Sequence, residues 1–134
     1  MRFVVDANIL FAALIKDGTT RRILLFSEHE FFSPDFSIEE FKKHLPELSE
    51  KTGLEAAEIN VLFEKIAKSA ALKIVPFEKF FDAKSQAEKI SPDAGDAAYF
   101  ALALHLNCAI WSNDKEMKNQ DAIKIFSTKE LMQM

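Results

Sequence analysis

The sequence predicts a single three-layer α/β/α domain, residues 1–134, built on a five-stranded parallel sheet. Three observations carry that reading. Short runs rich in β-branched and aromatic residues alternate with helical patterns from one end of the chain to the other. Helix-opening signatures of the Ser/Thr-x-x-Glu type recur between those runs. Strands that alternate with helices favour a parallel sheet covered on both faces.

The elements follow in order. RFVV (2–5) reads as the first strand, and NILFAALIK (8–16) as a helix apolar almost all round, closed by Asp17-Gly18. Thr19 or Thr20 caps a second helix, RRILLFSE, and EFFSP is the second strand. A third helix begins near Ser37, where Ser37-x-x-Glu40 has capping-box spacing, and Pro46 breaks or kinks it. Thr52-x-x-Glu55 opens a long amphipathic helix running to about Ala71. LKIVPF is the third strand, stopped by Pro76, and FDAKSQAEKI a polar helix. Ser91-Pro92-Asp93 opens a helix that runs through AGDAAYFALALHL to Asn107. CAIWS (108–112) is the fourth strand. A short helical KEMKN, a fifth strand IKIFS and a last helix opened by Ser127-x-x-Glu130 complete the chain.

Composition narrows the function. Net charge is −4, with 21 acidic against 17 basic residues, which argues against a broad electrostatic footprint on nucleic acid. Arg21-Arg22, Lys42-Lys43 and the pair Lys115 and Lys118 read as solvated surface, so any such contact is local. A lone cysteine, Cys108, excludes an intramolecular disulfide and suits a reducing compartment. The longest apolar run, Ala97 to Leu104, falls far short of the ~20 residues that span a bilayer. Asp6 interrupts the N-terminus before a signal-peptide core can form. A soluble, cytoplasmic protein is therefore expected.

Four carboxylates then raise a question. Asp6 follows the first strand and could cap the next helix. Glu40 could complete a capping box, Asp93 and Asp96 could face a helix dipole, and Asp114 could cap a short helix. Any one of these is unremarkable, although Asp96 fits a helix-dipole role less well because it points into the apolar segment DAAYFALAL. Their conjunction is different, because strand C-termini and helix N-termini share one edge of a parallel sheet. Asp6, Glu40, Asp96 and Asp114 would gather there and repel unless a cation neutralises them. Oxygen ligands without convergent His or Cys suit Mg²⁺ or Mn²⁺. Such ions activate water against phosphodiesters, and Asn8 and Ser112 could orient the acids. His29, His44 and His105 lack metal-ligand spacing, and the 13 phenylalanines read as core.

Together these residues resemble the PIN-domain nucleases. The resemblance rests on VVDANIL, on Glu40-Phe41 and on PDAGDAAYFALALHLNCAIWSNDKEM, and it spans nearly the whole chain. DAAYFALAL followed by AIWSND is its most specific part. It implies Asp6, Glu40, Asp96 and Asp114 as catalytic ligands of Mg²⁺ or Mn²⁺, supported by Asn8 and Ser112. Asp93 matches a further acid often present three residues before the third ligand. The implied reaction is endonucleolytic hydrolysis of RNA, as in VapC-type toxins, which usually form homodimers and pair with a small antitoxin. Two departures stand out: Gly95 occupies a position that is acidic in many relatives, and Glu39 competes with Glu40, which is preferred because Phe41 follows it. The alternative is a catalytically weak or silent PIN module that binds RNA or a protein partner. A haloacid-dehalogenase-type phosphatase would need a second Asp where Asn8 stands.

Overall fold

The computed structural model describes residues 1–134. Its five strands are β1 (Arg2–Val5), β2 (Glu30–Pro34), β3 (Lys73–Val75), β4 (Ala109–Trp111) and β5 (Ile125–Phe126). They form one sheet in the order β3-β2-β1-β4-β5, every neighbouring pair parallel. Phe3 lies opposite Phe31 on one side and Ala109 on the other. The central strand is therefore enclosed, and Phe3, Val4 and Val5 have no exposed surface. That burial explains why RFVV is a continuous apolar run without alternation.

Eight α-helices cover the sheet: α1 (Ala7–Ile15), α2 (Thr19–Phe26), α3 (Phe36–Lys43), α4 (Leu45–Thr52), α5 (Ala56–Ser69), α6 (Lys84–Ile90), α7 (Ala97–Leu106) and α8 (Thr128–Met132). Helices α1 to α5 pack on one another, whereas α6 pairs with α7, and α7 lies against β1, β2 and β4. The two helices predicted to be apolar all round are the most enclosed. Ile9, Leu10 and Leu14 of α1 and Tyr99 to Ala103 of α7 are all buried.

Four helix starts depart from the sequence prediction. Neither Thr19 nor Thr20 caps α2, which begins at Thr19 with Gly18 at its N-cap and no side-chain capping bond. Ser37 opens no capping box: it lies inside α3, and its buried hydroxyl donates to the Pro34 carbonyl at 2.7 Å. Thr52 is the last residue of α4, with its hydroxyl donating to Leu48 O. Gly53 follows at φ +74°, a left-handed end for which glycine is suited. The capping box of the next helix is thereby moved to Glu55 and Glu58. The predicted start at Ser91-Pro92 is likewise delayed. Asp93 caps a 3-10 turn over Ala94–Asp96, and α7 begins only after Asp96. By contrast, Ser127 and Glu130 form the expected box, and Pro46 sits in the first turn of α4, separating it from α3.

Candidate functional site

The C-terminal ends of β1 and β4 place Asp6 and Ser112 side by side. Asp6 has the extended backbone of a helix N-cap, yet its side chain makes no capping bond to α1. Instead, Ser112 Oγ donates to Asp6 Oδ2 at 2.8 Å. The same hydroxyl accepts from the Asp114 backbone N–H at 3.0 Å. Both residues are buried. One serine thus ties the end of β1 to the loop after β4, and aims the Asp6 carboxylate.

Asp6, Asn8, Glu40, Gly95, Asp96 and Tyr99 line one cavity of about 220 Å³, together with Phe11 and Phe36. Glu40 reaches it from the middle of α3, with Lys43 and His44 at 4.0 and 3.9 Å from its carboxylate. Glu39 is exposed and does not line the cavity. Asp96 enters from the turn before α7. Asp114 stands outside the wall, where its Oδ1 accepts from Glu116 N–H at 3.0 Å, but its charge acts on both Asp6 and Asp96. Asp93 is exposed and caps Gly95 N–H at 2.9 Å.

The electrostatics follow from burial and like charge. Burial raises the Asp6 pKa above its ordinary value, the Ser112 bond opposes that rise, and Asp114 adds to it. Burial also pushes Asp96 up to about 6, with Asp6, Asp93, Asp114 and Glu116 contributing. No lysine or arginine lines the cavity. Asp6 and Asp96 have no cationic partner, Glu40 has only the distant Lys43 and His44, and oxygen donors of this kind are what a hard divalent cation takes, so the residue types fit Mg²⁺ or Mn²⁺. No three acidic side chains, however, stand close enough together to close on an ion as placed.

Tyr99 is the site residue that the sequence reading missed, having assigned it to an apolar helix. Its position three residues after Asp96 was the available signal, since that spacing puts both on one helix face. Phe11 and Phe36, read as core, also form part of the cavity wall.

No helix is long and apolar enough to cross a membrane. Among solved structures, the chain is similar to VapBC2 from Rickettsia felis, crystallised bound to a DNA fragment from its promoter. That likeness has a TM-score of 0.68 at 13% identity and covers 95% of this chain and 98% of the other. It is also similar to PAE2754 from Pyrobaculum aerophilum, with a TM-score of 0.63 at 16% identity over 98% of this chain and 87% of that one. No curated protein matches. At such identities the two structures speak for the fold, which agrees with the parallel sheet described above. The sequence pattern of the PIN domain matches residues 4–133. With that match spanning nearly its whole length, the chain belongs to the PIN domain family, whose members are generally nucleases.

Proposed function

We propose that this chain is a Mg²⁺- or Mn²⁺-dependent endoribonuclease in which Asp6, Glu40, Asp96 and Asp114 hold the cation. The observation that carries the reading is the single cavity lined by Asp6, Glu40 and Asp96, with no lysine or arginine in its wall. Ser112 keeps Asp6 oriented and links it to Asp114. Asn8, exposed in the cavity wall, would help orient the acids. Asp93 supports Asp96 by capping the turn that presents it. A bound divalent ion would supply activation of the attacking water and stabilisation of charge developing on the phosphodiester. No side chain is assigned as nucleophile.

The narrower form of the reading makes the chain the toxin of a toxin–antitoxin pair, homodimeric, cytoplasmic and bound by a small antitoxin. The motif resemblance and the VapBC2-like fold support it. One observation favours a silent module instead, namely that no three acids stand close enough together to hold an ion.

End-labelled RNA incubated with the purified protein in Mn²⁺, Mg²⁺ or EDTA, beside the Asp6→Asn variant, separates the two. Metal-dependent fragments that vanish with the variant are expected. Absence of cleavage, together with no rise in melting temperature on adding Mn²⁺, would leave the silent module.

A further inference from the structure

Tyr99 is the only tyrosine of the chain, and its surface is 2% exposed. Its ring packs edge-on against Phe36, with centroids 6.0 Å apart. Phenylalanine would fill that space equally well, so the hydroxyl must justify its own desolvation. The phenol oxygen accepts from the Ala7 backbone N–H at 3.4 Å. A phenol also has one proton to donate, and the hydrogen bonds of the fold use only its acceptor.

That donor stands in the wall shared by Asp6, Glu40 and Asp96. Burial first, then Asp6, Glu40 and Asp96, raise its pKa above that of an ordinary tyrosine, so the group stays protonated. A phosphodiester entering an acid-walled cavity needs hydrogen-bond donors. A lysine there would pair with the carboxylates and displace the cation they are arranged to hold. A neutral O–H supplies the donor without that competition.

Resting on the nuclease reading above, we propose that Tyr99 contacts the substrate: its O–H donates to a non-bridging phosphoryl oxygen while the carboxylates hold the cation. The contact is a hydrogen bond, and no proton is transferred. Removal of one such donor aimed at developing negative charge lowers kcat on the order of 100-fold.

Because Tyr99 has no other tyrosine beside it, ultraviolet resonance Raman spectroscopy reads its phenol alone, the ring's Fermi doublet distinguishing acceptor from donor. With Mg²⁺ alone the doublet of an acceptor is expected, and on adding inorganic phosphate the doublet of a donor. Tyr99→Phe is expected to cleave RNA with kcat/KM lowered on the order of 100-fold, while the Mg²⁺-induced rise in melting temperature stays as in the wild type. A doublet unmoved by phosphate, a doublet already shifted by Mg²⁺ alone, or a variant as active as the wild type overturns the assignment. A wild type that cleaves no RNA overturns the nuclease reading instead, and the phosphate arm then decides the phenol contact by itself. If the variant proves unstable, the Raman measurement on the wild type decides.

Discussion

The two edges of the sheet differ in chemistry more than in space. At the N-terminal edge, Arg2, Cys108, Lys124, Phe126 and the amino terminus line a cavity of about 480 Å³, more than twice the volume of the acidic one. Its cations already have partners. Arg2 donates to the Leu106 carbonyl, the Met1 ammonium lies 3.1 Å from His29 Nδ1, and the Lys124 ammonium sits 5.3 Å from the centroid of the Phe126 ring. At the C-terminal edge, burial and the charge of Asp6 raise the pKa of Asp96, and burial and the charge of Asp114 raise that of Asp6. Uncompensated charge, rather than volume, marks the place where a ligand would gain most.

The sharpest way to break this contrast is Asp6→Asn. The asparagine keeps a hydrogen-bond acceptor for Ser112, so the fold should persist, with a melting temperature equal to or above that of the wild type. RNA cleavage should fall by about 1,000-fold or more, the several kcal/mol that metal-assisted charge stabilisation supplies. Unfolding of the variant, or activity retained in a gel assay, would remove the acidic edge from the chemistry.

Ser112→Ala comes next in size. Asp6 loses the bond that orients it, and removal of a group that orients a ligand costs about 10- to 100-fold in metal affinity. A Mn²⁺ titration of the melting temperature measures this, and an affinity equal to the wild type's would mean that packing alone aims Asp6.

A smaller effect concerns pH in the metal-free protein. Asp96 holds a proton in the fold up to about pH 6, whereas its ordinary value is 3.8. The folded state therefore binds more protons than the unfolded chain between those values, and stability falls as pH rises from 3.8 through about 6. Asp6, also raised, has the same sign. Asp96→Asn should remove much of that slope and stabilise the neutral-pH fold by about 1–2 kcal/mol, once solvent screening of a half-buried carboxyl is allowed for. Urea unfolding at acid and neutral pH checks both, and saturating Mg²⁺ should flatten the wild-type profile as well. A wild type equally stable across that range without metal would contradict the uncompensated charge. Least of all should change with Lys124→Ala at the opposite edge, where RNA cleavage is expected to stay at the wild-type rate; a large loss there would give the basic edge a share in the reaction.

Much of this could be read from local spacing. The apolar run Phe3 to Val5 followed by Asp6 marks a buried central strand with an acid at its end, because only a strand enclosed on both faces tolerates such a run. The choice of Glu40 over Glu39 comes from the family resemblance rather than from spacing, and Glu40 lines the cavity whereas Glu39 does not. Capping signals were less dependable. Ser127-x-x-Glu130 closes as its spacing suggests, but Ser37-x-x-Glu40 does not, since Ser37 bonds back to Pro34 and Glu40 turns to the cavity. The motif needs only two residue types three apart, and the path of the chain decides whether they stand at a helix start.

By itself, the sequence determined the alternation of elements, the apolar helices that must be buried and the acids that end strands, because each depends on neighbours within one or two turns. Only the tertiary structure could bring Ser112 from 106 residues away onto the Asp6 carboxylate and set the phenol of Tyr99 into the same cavity wall as Asp6. Both depend on which strands lie side by side in the order β3-β2-β1-β4-β5. Charge repulsion acts through space rather than along the chain, so the raised pKa of Asp96 arises only where the ends of β1 and β4 and the start of α7 converge.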